Sequence, residues 1–243
     1  MSRENQQSSV NPKTRLGENL ARIGERIAAA AHRSGRPPTD ITLVAVTKYV
    51  NANIVPLLVA VGCTDIGESR PQELWSKAES LTNLPVRWHL VGHLQRNKVD
   101  RTLPLVSLIH SVDSLRLAQA IDQSAAKSNR HIPALLEVNI SADSAKHGVA
   151  PAEIEPLLQQ LVTLNHVEIR GLMAMASPEG DLDAGRRQFA ALRQLRDGLR
   201  SVAPPCIKLI ELSMGMSGDF EIAIEEGATI VRIGSALFEG IIQ

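Results

Sequence analysis

The chain has 243 residues, 26 Lys plus Arg against 26 Asp plus Glu, a formal net charge of zero, and only three Phe, two Trp and one Tyr. Balanced charge excludes electrostatic recruitment to nucleic-acid phosphates or anionic membranes, and so few aromatics exclude a stacking platform for single-stranded nucleic acid. At 44% hydrophobic and 21% charged, the chain is a folding one, long enough to bury a substantial core.

Residues 1–12 read as a disordered tail and 13–243 as a single domain. The polar start MSRENQQSSVNP lacks the apolar core of a secretory signal, and no apolar run reaches membrane-span length, so a soluble cytoplasmic protein is expected. Cys63 and Cys206 lack CxxC spacing and are expected as two small buried thiols in a reducing compartment.

Leu16, Leu20, Ile23 and Ile27 recur at helical spacing and predict a helix over 13–32, which Ser34-Gly35-Arg36-Pro37-Pro38 breaks. After that break, apolar β-branched runs alternate with helical patterns. The predicted strands are 41–48, 64–68, 86–92, 107–112, 132–140, 167–175, 208–214 and 230–236. The clearest helices between them are 71–81, 114–128, 151–164, 183–201 and 219–227, with weaker ones at 51–61 and 95–103. Strands separated by helices pair in parallel, and eight such units predict an α/β fold of the (β/α)8 TIM-barrel type with an extra N-terminal helix. An open doubly wound sheet would want a GxGxxG turn after an early strand, and none is present. Little chain follows the eighth strand, so the closing helix is short or the helix at 13–32 takes its place.

Function in such a barrel sits at the C-terminal ends of the strands. Side chains alternate along a strand, so Val44, Val46 and Lys48 share one face. With the valines inside the barrel, Lys48 reaches the mouth. There it is partly desolvated and supplies the nucleophilic amine that a Schiff base requires. Strand seven runs into Ser213-Met214-Gly215-Met216-Ser217-Gly218-Asp219, and strand eight ends in Arg232-Ile233-Gly234-Ser235. Small residues after strands seven and eight, next to a helix start, suit a phosphate. A lysine amine beside a phosphate cradle fits a phosphorylated aldehyde. His89 and His93 are four apart across a strand-to-loop junction, with no carboxylate at metal-ligand spacing, so no metal is expected. His110 ends strand four as a hydrogen-bonding residue, and His32, His131, His147 and His166 read as surface residues.

LVAVTK (43–48), GESRPQE (67–73), WHLVGHLQRNK (88–98), IHSVDS (109–114), VNIS with KHG (138–141, 146–148), GLMAM (171–175), LSMGMSGDFEIAIEEGAT (212–229) and VRIGSALF (231–238) run in order through nearly the whole chain. In these stretches the sequence resembles the pyridoxal-phosphate homeostasis proteins, stand-alone relatives of the alanine racemase barrel domain. The resemblance implies pyridoxal 5'-phosphate held as an internal aldimine on Lys48. It further implies a phosphate held by Ser213, Ser217, Gly234 and Ser235, partly through backbone N–H groups around Gly215. Arg232 is then near the pyridine nitrogen or the phosphate side of the ring, Met173, Met175 and Met214 pack near the ring, and Asn139 and His89 line the mouth. The family usually has GEN at the end of strand two. This chain has Gly67-Glu68-Ser69, so a shorter hydroxyl stands where an amide is expected.

A racemase needs proton delivery on both faces of the substrate α-carbon. The single tyrosine, Tyr49, neighbours Lys48, and alternation is expected to point it away. An arginine against the ring nitrogen would weaken the ring as an electron sink. The resemblance implies a non-enzymatic monomer that stores the cofactor and supplies PLP-dependent apo-enzymes, with no nucleic-acid or membrane partner. A weak racemase and a phosphosugar aldolase or isomerase remain open. Glu68 and Glu137 are the only acidic candidates to converge with Lys48.

Overall fold

The computed structural model describes residues 11–141, 147–176 and 181–241. The tail expected at residues 1–10 lies outside them. Of the tail expected over 1–12, Asn11 and Pro12 are instead the cap and the first residue of a helix. Asn11 caps α1 (Pro12–Arg33) by accepting the Lys13 N–H at 2.9 Å. Pro12 stands at the first helical position, where its missing N–H costs nothing.

Eight strands follow: β1 (Thr42–Val46), β2 (Asp65–Glu68), β3 (Arg87–Leu90), β4 (Leu108–Val112), β5 (Ile132–Glu137), β6 (Val167–Met173), β7 (Glu211–Ser213) and β8 (Ile230–Ile233). Each lies inside an expected run and is shorter than it, because the ladders end before the apolar sequence does. Every neighbouring pair is parallel and β8 closes onto β1, giving the expected closed barrel in sequential order. The helices are α2 (Val55–Ala60), α3 (Pro71–Ser80), α4 (Val99–Thr102), α5 (Leu115–Ala126), α6 (Pro151–Leu161), α7 (Leu182–Val202) and α8 (Phe220–Glu225). The two weak helical patterns fold as 3-10 turns, Ala52–Ile54 and Arg96–Lys98, running into the short α2 and α4.

α1 packs against α2 and α8 and takes the place of a closing helix. Its buried Asn19 donates to the carbonyls of Leu237 and Glu239 at 2.9 and 3.0 Å, tying it to the turn after β8. Arg26 and Arg33 reach Glu221 and Glu225 of α8.

Strand alternation separates two cores. Ala45, Trp88, Leu90, Leu212 and Met214 face the helices. Val44, Val91, Leu108, Leu135, Met173 and Ile230 fill the barrel, with Val46 against them. Burying an aliphatic side chain fully contributes about 1.5–3 kcal/mol, so both layers favour this register. The cysteines differ from expectation: Cys63 is buried, its thiol pushed up to about 12 by desolvation, but Cys206 is exposed.

Among the described residues no helix is long and apolar enough to cross a membrane.

Candidate functional site

A cavity of about 980 Å3 opens where the strands end, lined by Val46 and Lys48 after β1, Ser69 after β2, Val91 after β3, Met175 after β6, and the loops after β7 and β8. Its volume is at the upper end of the ~300–1,000 Å3 usual for small-molecule sites.

Lys48 lines the cavity two residues past the end of β1, and its side chain is exposed. Its position is set by Thr47, which is fully buried. The Thr47 N–H donates to Gly67 O at 2.9 Å and its hydroxyl to Glu68 Oε1 at 2.5 Å. Lys77 Nζ donates to Thr47 O at 2.8 Å and to the same Glu68 oxygen at 2.5 Å. Glu68 Oε2 is buried without a partner among the described residues. Glu68 is thus committed to holding the end of β1, and it does not line the cavity with Lys48. Glu137 is also buried away from the cavity, its carboxyl raised by desolvation and by the charge of Asp113.

Tyr49 corrects the sequence reading. β1 ends at Val46, so alternation no longer governs residue 49. The ring lines the same cavity, 77% exposed, with Lys48 Nζ 4.6 Å from its centroid.

The loops after β7 and β8 are joined by Ser217, whose Oγ accepts from Gly234 N at 3.2 Å and Ala236 N at 3.3 Å. Gly215 has φ +93°, and a Cβ there would meet Ala223 Cβ at 2.6 Å, so glycine is required for this turn. The backbone N–H groups of Ser217, Gly218 and Ser235 have no acceptor among the described residues, and all three residues line the cavity. These amides, converging with two serine hydroxyls, make a neutral cradle for a multi-oxygen anion. α8 has only six residues, so these donors come from loop backbone and not from the helix start that the sequence suggested.

Arg232 forms the cavity's inner wall and is otherwise buried. Its guanidinium donates to Ser213 O at 2.8 Å, Ser213 Oγ at 2.6 Å and Ala174 O at 3.0 Å. Desolvation lowers its pKa to about 10, against the charges of Asp219 and Glu137, so it stays cationic at neutral pH.

Beneath the mouth a hydrogen-bonded chain crosses the barrel. Ser213 Oγ lies 2.8 Å from His110 Nδ1, His110 Nε2 lies 2.9 Å from His89 Nδ1, and His89 Nε2 lies 3.0 Å from Asp65 Oδ1. Arg87 grips Asp65 at the far end. Burial raises the Asp65 carboxyl, but hydrogen bonds from His89 and Arg87 outweigh it and hold it at about 2. His110 is wholly buried and pushed well below 6.5 by desolvation and by the charges of His89 and Arg232, so it is neutral. A neutral His110 donates through one ring nitrogen and accepts through the other, so Arg232, Ser213, His110, His89 and Asp65 form one continuous buried hydrogen-bonded chain.

This chain removes several expected residues from the site. The Ser213 hydroxyl is inaccessible and already hydrogen-bonded to both Arg232 and His110, so it is closed to a phosphate. His89 lies inside the barrel, one inward position below Val91, and is not at the mouth. Met173 is interior packing two residues below Met175. Met214 faces the helices, because inward Ser213 forces its neighbour outward. Gly215 accepts the Arg232 N–H at 3.0 Å and supports that strand without lining the cavity. Asn139 is half-buried past β5, its Oδ1 accepting from Ser141 at 3.2 Å, and does not line it either. Lys48, Ser69, Met175, Ser217, Arg232, Gly234 and Ser235 do converge. Val46, Val91, Met216 and Gly218 join them, and the first two follow from the inward parity of Val44 and His89. Lys146 of the KHG stretch lies outside the described residues.

The alanine racemase N-terminal domain family matches residues 19–241. A pyridoxal phosphate homeostasis protein of Aquifex aeolicus is 41% identical over 224 residues, covering 91% of this chain and 96% of that relative. A crystal structure of a protein from Bifidobacterium adolescentis superposes with a TM-score of 0.87 at 38% identity, over 93% of this chain and 96% of that one. PipY of Synechococcus elongatus PCC7942, solved with PLP bound, gives 0.82 at 38% identity, over 92% and 99%. Similarity at this level over nearly the full barrel places the chain in the alanine racemase N-terminal domain family, among its pyridoxal phosphate homeostasis proteins.

Proposed function

We propose that the barrel binds pyridoxal 5'-phosphate at its mouth and serves cofactor homeostasis as a reversible carrier. The observation that carries this reading is the convergence of an accessible primary amine, Lys48, with the backbone amides of Ser217, Gly218 and Ser235, which have no acceptor among the described residues, on one cavity. Bound there, the cofactor supplies an aldehyde that bonds reversibly to a primary amine. Lys48 Nζ anchors that aldehyde. The amides and the hydroxyls of Ser217 and Ser235 bind the phosphate, and Gly234 keeps the loop backbone close. Met175 and Ser69 border the ring, and Arg232 sets the charge at its inner side. Ser213, His89, Asn139, Met173, Met214 and Gly215 support the site from outside the cavity.

The carrier is proposed to act without catalysis. Arg232 remains cationic, so a ring nitrogen held against it would be disfavoured from protonating, and carbanion chemistry would lose its electron sink. The exposed mouth lets a second amine reach Lys48, which suits release to PLP-dependent apo-enzymes. We place the protein in the cytoplasm as a monomer; its unpaired Cys63 and Cys206 fit a reducing compartment.

One observation favours a second reading. Tyr49 shares the cavity with Lys48, as a two-sided acid–base pair of a weak racemase would. Titrating cofactor into wild-type protein, Lys48→Ala and Ser217→Ala tests the first reading: a visible absorbance band forms only in proteins that keep Lys48, with weaker affinity in Ser217→Ala. Loaded protein that racemises L-alanine, with loss of that activity in Tyr49→Phe, would replace the carrier by the racemase.

A further inference from the structure

The fold brings together three side chains that the sequence scatters over separate strand-end loops. His93 follows β3, Asp113 follows β4, and His147 lies past β5, just before Val149 pairs with Val138. One ligand atom from each lies within 4.8 Å of the other two. His93 Nδ1 is 3.1 Å from Asp113 Oδ2, and the His93 and His147 rings stack at 4.4 Å with an 11° tilt. Ser114 Oγ donates to the other Asp113 oxygen at 3.1 Å, which fixes the carboxylate. None of the three residues lines the Lys48 cavity, and none has a part in the function proposed above.

We propose that His93, Asp113 and His147 form a binding site for one divalent transition-metal ion on the rim of the barrel. Two imidazoles and one carboxylate are a borderline donor set. It suits zinc, nickel, copper or ferrous iron, and it is a poor match for magnesium or calcium, which prefer oxygen ligands alone. Ligands about 2.1 Å from a shared ion stand at most about 4.2 Å apart. Ligand atoms that all lie within 4.8 Å of one another therefore close onto an ion with small side-chain rotations. His93 and His147 are exposed and Asp113 is half-buried, so an ion can enter from solvent. Three protein ligands leave at least one coordination position open to water or a small anion. The sequence shows no spacing motif because each ligand sits on a different loop.

The test is calorimetric titration of Zn2+ into the full-length protein, with Co2+ absorbance as a second readout. The expected result is one ion per chain, a Co2+ d–d band, and at least tenfold weaker binding in His93→Ala, Asp113→Asn and His147→Ala. His131→Ala is the control. That exposed histidine stands before β5 at the opposite end of the barrel, its ring 5.4 Å from His166, and its loss leaves binding unchanged. No binding by wild type, affinity unchanged in the three variants, or loss in His131→Ala would each overturn the proposal. If an alanine variant no longer melts cooperatively, glutamine at the same position answers the question, with the same two outcomes.

Discussion

Replacing His110 by leucine removes the central link of the buried chain while keeping an apolar side chain of comparable size in the barrel. His110 is 0% exposed and uses both ring nitrogens, at 2.8 Å to Ser213 and 2.9 Å to His89. Its loss takes one buried hydrogen-bond partner from the Ser213 hydroxyl and one from the His89 ring, each costing about 1–3 kcal/mol. Leucine recovers part of this through apolar burial, so a net loss of about 3 kcal/mol is expected near pH 7.5. The pH dependence carries more information. The folded protein holds His110 well below 6.5, so the unfolded chain binds the proton first as pH falls. Wild type then loses about 1.4 kcal/mol per pH unit below 6.5 from this residue, or about 2 kcal/mol by pH 5. The leucine variant lacks that loss. Urea unfolding of cofactor-free wild type and His110→Leu at pH 7.5 and 5.0 measures both values. The gap between them should shrink from about 3 to about 1 kcal/mol. A gap that stays constant or widens at pH 5 would mean His110 is protonated in the fold, which would refute the reasoning.

At the other end of the chain, Asp65 has a folded pKa of about 2 against an ordinary 3.8. Its stabilisation of about 2 kcal/mol is present above pH 4 and lost as pH falls toward 2, so Asp65→Asn should flatten the acid limb of a thermal-melt profile. Lys77→Met leaves the fully buried Glu68 without its cation and should cost about 3–5 kcal/mol in urea unfolding; adding Glu68→Gln should restore most of it. Gly215→Ala forces a Cβ at φ +93° to within 2.6 Å of Ala223 Cβ. It should cost about 2 kcal/mol or more and weaken cofactor binding by displacing the loop that carries Ser217 and Gly218.

All eight strands were legible because apolar runs and helical patterns alternate through most of the chain, and parity along β1 turned Val44 and Val46 inward, with Lys48 at the mouth just past the strand end. Depth was not legible. His89 and Val91 share an inward face, but one sits inside the barrel and the other lines the cavity, and a two-residue step of about 7 Å decides between them. Ser213 looked like a phosphate ligand because its loop is rich in serine and glycine. Only its contacts with His110 and Arg232 reveal that its hydroxyl is spent. Met214 was open to correction from the sequence, since an inward Ser213 excludes it. Tyr49 was not, because where a strand ends depends on ladder pairing, and β1 stops two residues short of Lys48. The His93, Asp113 and His147 cluster depends on three loops meeting, which no local pattern encodes.

The central claim is that Lys48 is the amine that takes the cofactor. Borohydride reduction of the loaded protein, followed by proteolysis and mass spectrometry of the lysine-containing peptides, tests it most directly. The account predicts the reduced pyridoxyl group on the peptide containing Lys48 and nowhere else at one equivalent, with no label in Lys48→Ala. Label on Lys77, Lys98 or any other lysine, or undiminished labelling of Lys48→Ala, would contradict it.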